Sequence, residues 1–308
     1  MIAIKRPPMI FDRHMLVRQR ERAILNGEIP DFLVREVIAD FEMRLDLIQR
    51  IFPKVLCLSA AAGAVNDMIS RRPGTKVVIS SELSLSLARN LPRPALVLDE
   101  ESIAIKSGGL DLLLSTLTLQ YVNDLPGAFN QIRQALKPDG LFLGAMLGGM
   151  TLTELRQAAL EAEMDIYGGA SPRVAPFVDL RDLGTLLQRA GFALPVIDSH
   201  TLTVTYASPL HLMRELKAMG GSNILAERRS VPVTRRFLMR ISEIYSDRFT
   251  GEDDRIFATF EILTMTGWAP HESQQKPLKP GSAKYRLVDA LGVPQKNVDK
   301  KGNSRTLL

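Results

Sequence analysis

The sequence has one cysteine, Cys57, and one tryptophan, Trp268, among 308 residues. A single thiol excludes an internal disulfide and a multi-cysteine metal site, and points to a reducing compartment. Histidine is scarce as well. His14, His200, His211 and His271 stand far apart, without the short His-x-Asp or His-x-x-x-His spacing of a metal site, so no metal is expected. There is no Gly-x-Ser-x-Gly elbow and no phosphate loop ending in Gly-Lys-Ser, which sets aside hydrolase and nucleotide triphosphatase chemistry. Long apolar runs are missing. The stretches at residues 110–122 and 140–152 are broken by Asp111, Gln120 and several glycines, and fall short of the roughly 20 residues of a membrane span. Residues 1–22 are rich in Lys and Arg but lack an apolar signal-peptide core, and Asp12 and Glu21 argue against a transit peptide.

What is present is enough apolar material, 45% of the residues, for a sizeable core in one large domain with appended pieces. The net charge of +5 is spread over the Arg-rich start, residues 228–240 and a Lys-rich end from Lys276 onward. Such charge suits acidic partners or a membrane surface, so peripheral membrane contact stays open, although an ordinary solvated surface is the simpler reading. Without an aromatic-interleaved basic ribbon, nucleic-acid binding is not expected.

Residues 14–50 place Leu33, Val37, Phe41, Leu45 and Ile48 at three- and four-residue intervals and are predicted as helices. After Pro53 the pattern changes to short apolar runs at residues 55–60, 76–80, 95–98, 111–115 and 141–146, with segments of helical period between them at 64–70, 83–90 and 125–136. That alternation predicts a doubly wound α/β domain with a mostly parallel sheet covered on both faces. In Leu136-Lys137-Pro138-Asp139-Gly140, Pro is read as stopping a helix and Asp-Gly as the turn into the fifth strand. Further helices are expected at residues 151–164, 179–190, 210–219 and 233–245, and strands at 196–206 and 256–265. Three parts follow: an N-terminal helical segment at 1–50, a main domain at 51–273 with a helical insertion at about 207–250, and a basic, weakly structured tail at 274–308.

Ligands of open α/β sheets bind at the carboxyl ends of the strands, and the first strand-to-helix turn is the usual place. Here that turn runs through Ser59, Ala61 and Gly63. Close backbone approach favours glycine, and only Gly63 supplies it, so the loop reads equally as a ligand cradle or a close-packed turn. Carboxylates at the next strand ends are the second requirement, because a ribose diol is well held by an acid accepting two hydrogen bonds. Glu82 is the candidate for the ribose hydroxyls and Asp99 for the adenine amino group. An acid placed to suit a helix N-terminus is the competing reading for Asp99 and the preferred one for Glu101.

The run from Ser115 to Pro126, followed by Leu136-Lys137-Pro138-Asp139-Gly140, resembles the fourth- and fifth-strand motifs of class I S-adenosylmethionine-dependent methyltransferases of the BioC type, which methylate a malonyl thioester carboxyl. A closer resemblance is to the family of the mitochondrial complex I assembly factor that hydroxylates an arginine, with its bacterial relatives. It rests on Ile10-Phe11-Asp12-Arg13, Gly144-Ala145-Met146-Leu147-Gly148-Gly149, Glu154-Leu155-Arg156, Ser171-Pro172, Pro176-Phe177 and Gly267-Trp268 with His271-Glu272-Ser273-Gln274. The resemblance implies a Rossmann-like seven-stranded sheet and S-adenosylmethionine as cofactor. It also implies a protein partner, a subunit of a respiratory NADH dehydrogenase. Family positions carry over to Ser59, Ala61, Gly63, Glu82, Asp99, Glu100, Thr118 and Leu119. The first-strand acid and two of its three glycines stand here as Cys57, Ser59 and Ala61, and the second-strand acid falls at Ser81 with Glu82 one position displaced. The cofactor loop is therefore read as degenerate, with cofactor binding weakened or lost and no catalytic residue assigned. Three readings stay open: an active methyltransferase, an assembly or modification factor, and a non-catalytic partner-binding relative. With nine residues before Ile10, a bacterial cytoplasmic location is expected.

Overall fold

The computed structural model describes residues 9–27, 29–59 and 62–275, together with the backbone of 297–298 and 304–305. Two helices lead in, α1 (Arg13–Leu25) and α2 (Phe32–Asp46), followed by β1 (Lys54–Ser59), α3 (Ala62–Ser70), β2 (Val77–Glu82), α4 (Leu85–Ala88) and β3 (Ala95–Val97). Then come β4 (Leu110–Thr116), a 3₁₀ turn (Leu119–Tyr121), α5 (Leu125–Ala135), β5 (Leu136–Leu147), α6 (Thr153–Tyr167) and α7 (Leu180–Arg189). The sheet closes with β6 (Ala193–Tyr206) and β7 (Ile256–Trp268), between which lie α8 (Pro209–Ala218) and α9 (Arg235–Phe249).

The seven strands form one sheet in the order β3-β2-β1-β4-β5-β7-β6. β1 to β5 run parallel, and β7 pairs antiparallel with both β5 and β6. The two-residue period of a strand divides its side chains between two cores. Val55 and Cys57 enter one apolar cluster and Leu56 and Leu58 the other, and β4 splits likewise into Leu112 and Leu114 against Leu113, with Leu110 joining the second cluster across the register shift that separates it from Leu112. The first face is covered by the Leu33, Val37, Phe41, Leu45 stripe of α2 and by α3, α6 and α9; the second by α5 and α7. The doubly wound reading of the central strands is thus met residue by residue.

The Pro-Asp-Gly segment differs from its reading as a turn outside the strand. β5 already begins at Leu136, opposite Leu110, and regains register at Leu141 opposite Leu112, so residues 137–140 form a bulge within it. Asp139 takes a left-handed φ of 64°, its N–H donates to Ala269 O at 3.0 Å, and Ala269 N–H donates to Gly140 O at 2.8 Å. A Cβ on Gly140 would stand 2.9 Å from Lys137 O, so only glycine fits the bend. Trp268 plugs this end of the sheet, against the first apolar cluster and with the Arg50 guanidinium 5.6 Å over its ring.

Residues Met1–His271 form one compact unit and Glu272–Leu308 a second. Most of the tail expected at 274–308 lies outside the described residues; its described backbone contains a two-residue antiparallel ladder, β8 (Asn297–Val298) with β9 (Ser304–Arg305).

Candidate functional site

Sheet order reverses between β1 and β4, and the carboxyl ends of β1, β2, β4 and β5 meet at one edge there, where an open α/β sheet binds its ligands. Alternation along β2 sends Ser81 and Glu82 to opposite faces. Ser81 Oγ donates to Cys57 O at 3.1 Å, which spends it on the neighbouring strand, while Glu82 is buried at the strand end.

The first helix is fastened over this edge. The backbone N–H groups of Ile10 and Phe11 both donate to Asn123 Oδ1 at 2.8 Å. Phe11 bridges to Leu225, and Asp12 caps α1 through Met15 N–H at 3.0 Å while pairing with Arg228 at 2.9 Å. Phe11, Leu16, Ile224 and Leu225 form a small apolar cluster beneath the helix. Seven residues is close to two helical turns, so Arg13 and Arg20 lie on the same side of α1. Arg13 Nη2 stands 2.7 Å from Asp99 Oδ1 and bonds Glu100 as well, and its Nη1 donates to Tyr121 O at 3.2 Å. Arg20 Nη2 donates to Thr118 Oγ1 at 3.2 Å, and Arg20 Nη1 lies 3.8 Å from Glu82 Oε2. The Thr118 hydroxyl donates onward to Glu100. Two arginines of α1 thus clasp the acids of the second and third strand ends.

Burial gives the clasp its weight. Glu100 is 3% exposed, and Glu82 and Arg20 are 7% each, so these charges are screened little by water. Burial pushes the Glu82 carboxyl up to about 7; the Arg20 charge opposes this, and that of Glu100 adds to it. For Arg13 burial disfavours the charge, but the carboxylates of Glu100 and Asp99 outweigh it and raise the pKa.

Of the residues singled out from the sequence, Glu82, Asp99, Glu100 and Thr118 are brought together by the clasp. Leu119 is fully buried in the second apolar cluster, and Gly63 lies in α3, where a Cβ would find Pro92 at an ordinary 3.7 Å. Ser59 is described only as the backbone end of β1, and Ala61 lies outside the described residues. Arg13 and Arg20 were not singled out as site residues. The signal was there in one case: Arg20 shares the buried stripe of α1 with Leu16 and Ala23, and a charge on an apolar stripe needs a partner.

Beside the clasp lies a cavity of about 200 Å³ between α1, α2 and the ends of β4, β5 and β7, with Glu82 and Arg20 in its wall. Its far side includes Arg173, which bonds the fully buried Glu163 and stacks 4.6 Å from the Phe237 ring. Sites for drug-sized ligands run from roughly 300 Å³ upward. A ribose diol is best held by a carboxylate that accepts from both hydroxyls, and the three acids here, Glu82, Asp99 and Glu100, each face an arginine. Among the described residues no cluster of three or more His, Cys, Asp or Glu is placed to hold a metal ion. Cys57 is buried in β1, and burial pushes its thiol up to about 12, which leaves it unreactive.

Residues 43–195 match the family model described as a methyltransferase domain. The chain is 38% identical over 298 residues to the mitochondrial arginine-hydroxylase NDUFAF5 of Danio rerio, covering 94% of this chain and 92% of that protein. It is 34% identical to the malonyl-[acyl-carrier protein] O-methyltransferase of Laribacter hongkongensis, covering 85% and 91%. Among solved structures, the YcgJ protein of Bacillus subtilis superposes with a TM-score of 0.51 at 11% identity, over 77% of this chain and 99% of that one, a likeness of fold alone. With its sheet order and a near full-length match, the chain belongs to the methyltransferase-fold family that includes the arginine-hydroxylase NDUFAF5.

Proposed function

We propose that this protein serves the assembly or modification of a respiratory NADH dehydrogenase, through a protein subunit as its partner, on a methyltransferase fold with a degenerate cofactor loop. The near full-length likeness to the arginine-hydroxylases supports the assembly role. The observation that carries the loss of cofactor affinity is the clasp of Arg13 and Arg20 on Glu82, Asp99 and Glu100. A charge-assisted hydrogen bond from a ribose contributes about 1.5–3 kcal/mol. Stripping a partner from a buried ion pair costs about 3–5 kcal/mol. A ligand that had to displace either arginine from a buried acid would thus lose more than it gained, and Cys57, Ser59 and Ala61 provide no glycine-lined cradle to offset the difference. The division at about 50 and 273, with the helical insertion at 207–250, belongs to this reading, as does a bacterial cytoplasmic location with at most peripheral membrane contact.

Calorimetric titration of the purified chain with S-adenosylmethionine is expected to show no binding in the micromolar range, and micromolar binding would refute the lost site. Deleting the gene is expected to lower NADH dehydrogenase activity while leaving growth independent of biotin. Biotin auxotrophy would move the reading to a BioC-like carboxyl O-methyltransferase, which the Laribacter relative favours as the second possibility. An unchanged NADH dehydrogenase would leave a partner-binding relative of another system.

A further inference from the structure

Away from the clasp, the cavity has a second charged corner. Arg173 lines its wall, and its Nε donates to the fully buried Glu163 at 2.6 Å, with Nη2 on the same oxygen. Arg229 shares that acid from 3.4 Å while its guanidinium lies 3.8 Å over the Tyr167 ring. Two guanidiniums on one carboxylate leave an excess of positive charge. Arg173 Nη1 has no hydrogen-bond partner among the described residues, yet it is not one of the unpaired polar atoms closed off from solvent, and the Arg173 side chain keeps 16% of its surface exposed.

The loop after α8 brings further donors to the same wall. Asn223 Nδ2 donates to Pro172 O at 2.9 Å, which ties Ser222 and Asn223 to the segment carrying Arg173. Both line the cavity and are partly exposed. The Ser222 hydroxyl and the backbone N–H groups of Ser222 and Asn223 make no hydrogen bond among the described residues. Glu82 lines the cavity too, but it faces Arg20, so its charge is opposed, whereas Arg173 has charge to spare. Elsewhere the wall is apolar, with Leu33, Leu117, Leu147, Leu152, Phe177 and Phe260. Leu117 and Leu152 hold left-handed φ angles of 51° and 55°, a conformation uncommon outside glycine that clusters at ligand sites.

We propose that this cavity is a binding site for a small monocarboxylate with an apolar chain, its acid held by Arg173 Nη1 and by the Ser222 and Asn223 donors. One excess positive charge matches a monoanion, and every reachable unpaired group at this corner can donate to it. An apolar cavity of about 150 Å³ holds a benzene, so about 200 Å³ suits a chain of about eight heavy atoms, the size of hexanoate. None of these donors belongs to the clasp, so the site stands apart from the reading of the cofactor loop.

The test is a ligand-observed NMR titration of the full chain with hexanoate, hexanamide and acetate as probes. Hexanoate is expected to bind roughly tenfold more tightly than hexanamide, the difference between a charged and a neutral acceptor at a guanidinium, and acetate, which lacks the chain, is expected to bind more weakly than hexanoate. Ser222→Ala is expected to weaken hexanoate by roughly threefold to tenfold, one neutral hydrogen bond. Arg173→Gln combined with Glu163→Gln removes the guanidinium without stranding a buried acid, and is expected to abolish the preference over hexanamide. Both variants are checked for an unchanged melting profile, and Ser222→Ala carries the test alone if the double variant unfolds. Equal affinity for hexanoate and hexanamide, binding by neither, acetate binding as tightly as hexanoate, or an unaltered preference in the folded variants would overturn the site and leave the clasp standing.

Discussion

The clasped end of the strand edge and the cavity beside it are built from neighbouring residues and solve opposite problems. At the clasp three acids face two arginines, and the buried carboxylate Glu100 is bonded by both Arg13 and Thr118. Around the neighbouring cavity Arg20 Nη1, Thr116 Oγ1 and Gln120 Oε1 are buried without a hydrogen-bond partner among the described residues, and Arg20 Nη1 stands 3.8 Å from the Glu82 carboxylate. The two parts share Arg20 and Glu82, which belong to the clasp and also line the cavity. A strand edge that holds ligands in related folds is here divided into a part closed by the protein's own first helix and a part left open beside it.

The largest expected effect comes from opening the closed part. Arg13→Ala leaves Glu100, 3% exposed, without its guanidinium. An uncompensated buried charge costs about 3–5 kcal/mol, and urea unfolding at neutral pH is expected to show a loss at the lower end of that range, since Thr118 still bonds the carboxylate. A loss below about 1 kcal/mol would reduce the clasp to a surface contact.

How far the sequence reveals these two parts follows from the range of the interactions. Short apolar runs such as Val55 to Leu58 and the four-residue stripe Leu33, Val37, Phe41, Leu45 are local patterns, and they suffice for strands, helices and the parallel sheet. Glu82, Asp99 and Glu100 are legible as acids at strand ends, because strand ends are local too. Their partners are not. Arg13 reaches Asp99 across 86 residues of chain, and in the sequence it is one more basic residue in a basic start. The bulge at residues 137–140 was misplaced for a related reason: Pro-Asp-Gly marks a bend, but whether the strand continues through it depends on Ala269, far along the chain, which bonds both Asp139 and Gly140.

The second effect is a pH dependence seated at the boundary between the two parts. The Glu82 carboxyl is raised from 4.5 to about 7, chiefly by burial. Between those values the folded state binds the proton that the unfolded state releases, so stability falls as pH rises through that window. The shift of about 2.5 units corresponds to a loss of about 3 kcal/mol at most. Glu82→Gln removes the titration, and its stability profile between pH 4.5 and 7 is expected to be flatter than that of the parent chain. Profiles of equal slope would mean that Arg20, at 3.8 Å, neutralises Glu82 more fully than burial opposes it.

The smallest effect separates the two acids that share Arg13. Asp99 has nearly half its side chain exposed, 46% against 5% for Glu100. Water already solvates much of the Asp99 charge, so its pair with Arg13 falls in the class worth about 0–1 kcal/mol. Asp99→Asn is accordingly expected to cost under about 1 kcal/mol and to leave the Arg13→Ala penalty nearly intact when the two changes are combined. Glu100→Gln, by contrast, strips a buried partner from the same guanidinium and is expected to cost more. It is also expected to absorb most of the Arg13→Ala effect in the double variant. If Asp99→Asn proves the costlier change, the clasp is held from its solvent side. The adenine-binding role first read for Asp99 would then have to compete with that ion pair directly.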